Sequence, residues 1–435
     1  MHRWRLAICG AGIAALLLAP PALAADLSEA VGQALAYRPD LQRQGALAAA
    51  AEAAVDAALA GYLPQVDLTL SSGWQFTENP TTRSGDGPTG VNQWNKFGAL
   101  EASQLLFDGF GTPYRVDRAR AELGTARAEG RQLVEMIAID AVQAYIDVQR
   151  NQAFVEIAST NLAVHRRLLS QVRVQAAAGQ VTDADEAQAR ARAAFAEATL
   201  AERLGGLATA IAVYVERVGA APENLAEVDL PAGLRPAAEV DAVAVALEQH
   251  PSLTIGRAIV AGSTAEVGIA ESRYWPELDL VARGGLQDDL DGIEGSGGRA
   301  EAGARLSWNL YAGGGDQAAV ERAEAQLQAS GYALDERARL VREEVSVAYR
   351  ELLTAEAVLP PLRDHAAAAR QVFAGYRQQF DIGRRSLLDL LDAQGELFTA
   401  ELRAADARYR LLLAHYQLAY SMGGLTRALG VAPPE

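Results

Sequence analysis

Tyr62-Leu63-Pro64-Gln65-Val66-Asp67-Leu68 returns 212 residues later as Tyr274-Trp275-Pro276-Glu277-Leu278-Asp279-Leu280. Working outward, Leu35-x-x-x-Pro39-x-Leu41 returns at the same offset as Leu247-x-x-x-Pro251-x-Leu253. Phe107-x-Gly109 then answers Tyr311-x-Gly313, Ala144-Tyr145 answers Ala348-Tyr349, and Gly179 answers Gly383, each at an offset of 204. Five landmarks on two constant offsets mark one structural unit written twice. The fall from 212 to 204 places 8 extra residues between Asp67 and Phe107. Asn79-Pro80 and Ser84-Gly85-Asp86-Gly87-Pro88 lie in that stretch, so the insertion reads as a longer exposed loop.

Each copy reads as helix, β-hairpin, long helix, returning helix. Pro64 and Pro276 end the first helical segments, and period-2 patterning follows at once. Val66, Leu68, Leu70, Trp74 and Phe76 alternate with Asp67, Thr69, Ser71 and Gln75. In the second copy, Leu278, Leu280, Leu306, Trp308 and Leu310 are expected on a lipid-facing side. Asp279, Arg283, Arg305 and Asn309 are expected on the other. Strands of about 10 residues approach the length that crosses a bilayer at a tilt. An isolated hairpin is marginal in water, and four strands are too few to close a spanning barrel. Sharing one barrel among several copies of the chain removes both difficulties.

The remainder is helical. The segment 112–178 contains Gly124 and Gly130 but no proline run, and predicts a helix about 100 Å long. Such a helix must pack along others, as in a coiled coil. Leu387, Leu391, Phe398, Leu402, Ala405, Tyr409, Leu412 and Tyr416 supply the spacing of such a seam. Pro360-Pro361 falls inside the second long helix and is expected to kink or break it.

At the N-terminus, Arg3 and Arg5 precede an apolar run at 6–19, and Ala22-Leu23-Ala24 gives a cleavage site. This reads as a secretory signal cut after Ala24, with Ala25 as the alternative. Cys9, the only cysteine, leaves with it, so neither disulfides nor a lipid anchor are expected. The expected division is a signal peptide at 1–24, a first repeat at 25–222, a connector at 223–237, a second repeat at 238–430 and a tail at 431–435. The first repeat has its hairpin at about 65–107, long helix at about 112–178 and returning helix at about 182–218. In the second these lie at about 277–311, 315–382 and 386–422.

Without Arg3 and Arg5, 37 basic residues face 55 acidic ones, a net charge of −18. That excludes nucleic acid as a partner, since phosphate binding needs a basic stripe. The five histidines have no metalloprotease spacing, and Gly313-Gly314-Gly315 lacks the Lys-Ser/Thr end of a phosphate loop. No cofactor, resident metal or enzymatic activity is expected.

The stretch with most chemical content is Phe380-Asp381-Ile382-Gly383-Arg384-Arg385-Ser386-Leu387-Leu388-Asp389-Leu390-Leu391-Asp392. Gly179 and Gly383 suit the left-handed residue that ends a helix, and Thr182 and Ser386 suit the caps of the returning helices. Asp389 and Asp392 share a helix face, and Asp185 matches Asp389 at the offset of 204. These carboxylates have two readings: caps at a solvated tip, or, if copies converge on an axis, rings of like charge that attract divalent cations.

Signal, tandem repeat, paired hairpins, long helices and this tip motif together resemble the TolC-like outer membrane factors, the outer membrane efflux protein family. The fold class so implied is mainly α with a small β part: long antiparallel coiled coils plus two β-hairpins per chain. The resemblance further implies a homotrimer with a 12-stranded barrel in outer-membrane lipid and an α-helical barrel crossing the periplasm. Its periplasmic end closes like an iris and docks a periplasmic adaptor bound to an inner-membrane transporter. Asp389 and Asp392 match the constricting aspartates, and Arg385 the basic residue that ties neighbouring coils shut. Asp185 matches an aspartate normally held by a tyrosine, whose place here is taken by Phe380. The run from Arg384 to Phe398 looks like the type I secretion branch, which works with an ABC exporter. The alternative is small-molecule efflux with a proton-driven pump.

Overall fold

A computed structural model describes residues 26–80, 82, 90–228 and 235–431. The expected signal, the turn at 84–88, part of the connector and most of the tail lie outside the described residues.

Two helices, α1 (Leu27–Tyr37) and α2 (Pro39–Leu59), lead into β1 (Gln65–Thr77) and β2 (Val91–Phe107). Then come α3 (Gly111–Ala177) and α4 (Asp183–Val218). The order recurs as α5 (Glu239–Gln249), α6 (Pro251–Ser272), β3 (Glu277–Asp288), β4 (Ser296–Ser307), α7 (Gly315–Asp381) and α8 (Leu387–Ser421). A short α9 (Leu425–Ala428) closes the described chain. The single helix read at the start of each copy is thus two, parted where Pro39 and Pro251 each become the first residue of a helix. Both long helices have 67 residues, about 100 Å each.

The helix α7 runs unbroken through Pro360 and Pro361, against the expected break. The prolines remove two donors, but Leu352 and Leu359 remain buried against Ala407 and Leu411 of α8. That packing holds the helix course across the gap.

The four strands form one antiparallel sheet in sequence order, with β1 and β4 at its edges. Register puts Leu278 opposite Leu306, and Asp279 opposite Arg305, so apolar and polar sets occupy opposite faces. On the polar face Asp67, Glu101, Arg283 and Glu301 form a row across all four strands. Arg283 reaches Glu101 at 3.8 Å, and Arg305 reaches Asp279 at 3.6 Å. On the apolar face, Leu68, Leu70, Leu286 and Leu306 are exposed.

The strand β4 ends at Ser307, so Trp308, Asn309 and Leu310 lie beyond it, shorter than the hairpin expected to 311. The last pair is Glu277–Ser307. The next partner would be Pro276, which has no N–H to extend the ladder. Trp308 instead donates its indole N–H to the Tyr274 carbonyl at 3.1 Å. Its counterpart Gln104 donates to the Tyr62 carbonyl at 2.9 Å. The repeated Tyr-x-Pro landmark is therefore a carbonyl anchor for the return strand.

The Ala-Tyr landmark also has one task in both copies. The Tyr145 hydroxyl and Gln149 amide donate to the Ala226 carbonyl at 2.7 and 2.5 Å. The Tyr349 hydroxyl donates to the Ala237 carbonyl at 3.2 Å. Both tyrosines strap the connector to the middle of a long helix. Nearby, buried Glu135 accepts from Leu425 N at 2.8 Å and Thr426 Oγ1 at 2.6 Å, fixing α9 to α3.

Candidate functional site

The far ends of the two helical hairpins are built by the same backbone device. Gly179 (φ 69°) and Gly383 (φ 72°) are left-handed. Gln180 N bonds Gln175 O and Gly179 N bonds Ala176 O, both at 2.9 Å. Arg384 N and Gly383 N repeat this to Gln379 O and Phe380 O at 2.8 and 2.9 Å. The six-to-one and five-to-two bonds satisfy the last carbonyls of each long helix.

Beyond the turns the two tips differ. Thr182 Oγ1 accepts from Asp185 N at 3.2 Å. The Asp185 carboxylate turns back to accept from Thr182 N at 3.0 Å and the hydroxyl at 2.8 Å. This closed capping box holds the Asp185 carboxyl below its ordinary range, through the Thr182 N–H first and the hydroxyl second. At the second tip Ser386 Oγ accepts from Asp389 N at 3.1 Å, but no return bond forms. The Asp389 carboxylate faces Arg385 at 3.9 Å. The structure therefore places Asp185 as a cap partner and leaves Asp389 free of that duty.

Arg385 lies over the Tyr376 ring, 3.8 Å from its centroid, a cation–π contact within the chain. Phe380 is buried among Phe373, Leu387, Leu390, Leu391, Leu168 and Val172, where a hydroxyl would have to be desolvated. Asp389 and Asp392 open onto one groove between α7 and α8, with Tyr376, His365 and Glu396 on its other walls. His365 pairs with Glu396 at 2.9 Å.

Three contacts join the hairpins near this end. Arg192 Nη2 donates to Asp392 at 3.1 Å, and Gln171 donates to Asp381 at 3.0 Å. Gln394 Nε2 donates to Asn161 Oδ1 at 2.9 Å, with both side chains buried. Arg192, Tyr376 and Asn161 carry no motif, and Gln394 lies in the run from Arg384 to Phe398 without a role of its own in the sequence. The offset of 204 supplies a signal: Asn161 and Arg192 correspond to His365 and Glu396.

A sequence profile described as outer membrane efflux protein matches residues 30–212 and again 242–424. The chain belongs to that family. The family comprises outer-membrane transport ducts, not enzymes, and this member is an outer-membrane export duct that reaches into the periplasm. Outer membrane efflux protein BepC of Brucella suis is 28% identical, over 75% of this chain and 72% of its own. Alkaline protease secretion protein AprF of Pseudomonas aeruginosa is 27% identical, over 85% and 78%. Among solved structures, the CmeC outer membrane channel of Campylobacter jejuni aligns with a TM-score of 0.78 at 16% identity, covering 94% of this chain and 87% of that one.

Among the described residues no group of three or more His, Cys, Asp or Glu could hold a metal ion. One chain offers three carboxylates in the groove, Asp389, Asp392 and Glu396, the last of them paired with His365. Only α4 has a stretch long and apolar enough, by composition, to cross a membrane among the described helices. It runs beside α3 and carries Arg190, Arg192, Glu197 and Arg203.

Proposed function

We propose that three copies of the chain form a 12-stranded barrel and that the duct serves type I protein secretion. The observation that carries the trimer is the open sheet. Strands β1 and β4 expose unpaired edges of 13 and 12 residues, flanking an apolar face. Long free edges of this kind are aggregation-prone unless paired. Edge-to-edge closure of three sheets pairs every edge and turns the apolar face to lipid. The charged row Asp67–Glu101–Arg283–Glu301 then lines the lumen.

In the same reading residues 1–24 are a signal peptide. The α3/α4 and α7/α8 hairpins cross the periplasm, and their tips meet the adaptor, itself bound to an ABC exporter. Asp389 and Asp392 form the constriction, with Arg385 opposing its opening, and Asp185 and Phe380 complete the tip. The secretion branch draws on the stretch from Arg384 to Phe398 and on the likeness to AprF, whose name states protease secretion. The likeness to BepC, named for efflux, favours the second reading, small-molecule export with a proton-driven pump.

Native mass spectrometry in detergent is expected to give three copies, and the same preparation stable single channels in planar bilayers. A folded monomer without conductance overturns the architecture. Deleting the gene is expected to remove a protein from the culture medium without altering drug susceptibility. The converse selects efflux.

A further inference from the structure

The positions that tie hairpin α7/α8 to itself are re-aimed in hairpin α3/α4. In the second hairpin His365 and Glu396 pair with each other. Their counterparts Asn161 and Arg192 instead reach across to Gln394 and Asp392 of the second hairpin. The neighbouring rung shows no such change: Arg166–Glu197 and Arg370–Glu401 are equivalent pairs, each inside its own hairpin.

The Asn161–Gln394 part of this seam is buried and only half satisfied. Asn161 and Gln394 are 7% and 3% exposed. Gln394 Oε1, and His165 Nδ1 one turn along α3, are buried without a hydrogen-bond partner. A fully satisfied polar seam rigidifies; a half-satisfied one gives up part of its advantage, because parting the surfaces hydrates the orphaned atoms. The junction at Glu135 has bonds from Leu425 N and from Thr426 N and Oγ1. One seam is built to stay and the other to part.

The position of the proline pair complements this seam. Pro360 and Pro361 offer no N–H to the carbonyls of Glu356 and Ala357, so α7 is least resistant to bending there. An open groove of about 700 Å³, walled by Ala355, Val358, Leu362, Arg403 and Ala407, lies beside it. About 20 residues of α7 remain below the pair, a lever of roughly 30 Å.

We propose that Asn161–Gln394, assisted by Arg192–Asp392, is the latch that holds the duct closed, and that Pro360-Pro361 is the hinge about which α7/α8 leaves it. This rests on the reading of the chain as a gated duct. It puts the decisive closing bond inside the seam rather than at the position of Phe380, which has no hydroxyl to offer.

The test uses the full chain in planar bilayers. Gln394→Ala is expected to raise the resting open probability about tenfold, since one net hydrogen bond is lost from every copy. Arg192→Ala, at an exposed pair, raises it less. Asn161→Leu with Gln394→Leu, a dry apolar seam, returns it towards the parent value. Pro360→Ala with Pro361→Ala in the Gln394→Ala background lowers it, because two helix donors are restored. Should Gln394→Ala fail to assemble, Asn161→Cys with Gln394→Cys decides the matter. Bridged by a short bis-methanethiosulfonate, it is expected to stay closed and to regain openings in reductant. Gln394→Ala pores with the parent's open probability, or bridged pores that open as freely as unbridged ones, overturn the latch. A parent chain that forms no pore overturns the duct reading instead.

Discussion

The α3/α4 and α7/α8 hairpins share a template and have come to do different work. Helix lengths, left-handed glycines, turn bonds and one Arg–Glu rung agree at the offset of 204. What differs is where side chains of equal position point. Asp185 is folded back into its own cap, whereas Asp389 faces Arg385 in a groove. Asn161 and Arg192 reach outward, whereas His365 and Glu396 close on each other. A duplicated scaffold keeps its backbone instructions because each is needed twice. Side-chain pairing is under no such constraint, so one hairpin can become the support and the other the moving part.

The largest expected effect separates the two tips. Asp389→Ala with Asp392→Ala should abolish block of single channels by divalent cations, shifting the blocking concentration by about tenfold or more, as expected on losing a ring of paired carboxylates. Asp185→Ala should leave block intact, since that carboxylate is already held by Thr182. Equal block in parent and double variant would return Asp389 and Asp392 to the role of solvated tip charges.

An intermediate effect compares the caps. Thr182→Ala removes a reciprocal box, costing about 1 kcal/mol, and Ser386→Ala a single bond, costing less. Amide exchange in the first turn of α4 should quicken about fivefold with Thr182→Ala, at 1.4 kcal/mol per tenfold. The first turn of α8 should respond less to Ser386→Ala. A larger response at α8 would mean that the two caps are not ranked by their bonds.

The smallest effect concerns acid. Burial, then Arg192, holds the His165 imidazole below its ordinary pKa. Arg192 on α4 faces it, and Asn161 lies one turn before it on α3. Because the parted or unfolded state titrates near 6.5 and the closed state lower, closure is fully favoured above that pH. It weakens as pH falls through the window below it. Resting open probability should rise roughly two- to threefold from pH 7 to 5.5 in the parent, and stay flat in His165→Gln. A parent profile without slope would show that His165 does not feel the seam.

Much of the fold could be read from local patterning. Prolines at 64 and 276, glycines at 179 and 383, and alternation along the strands each act through backbone geometry, which a sequence states directly; the helix breaks at Pro39 and Pro251 were missed. The ends of elements were less legible where a partner strand decides them, as with β4, which stops because Pro276 stands opposite residue 308. The unbroken course of α7 was hidden for a related reason, since the packing of Leu352 and Leu359 is tertiary. At the tip, turn and cap residues were visible by type and spacing. Arg192, Asn161, Tyr376 and the bonding role of Gln394 were not, because ordinary helix residues become a site only when two hairpins lie side by side.

The bond from Glu135 to Leu425 and Thr426 sets an order of events. Glu135 and its partners Leu425 and Thr426 stand 290 and 291 residues apart, so the partners leave the ribosome long after it. Until they arrive, a carboxylate destined for the interior has no donors and favours water. The middle of α3 therefore cannot seal before Leu425 and Thr426 have been made, so a chain cut short before Leu425 carries an unsealed flank.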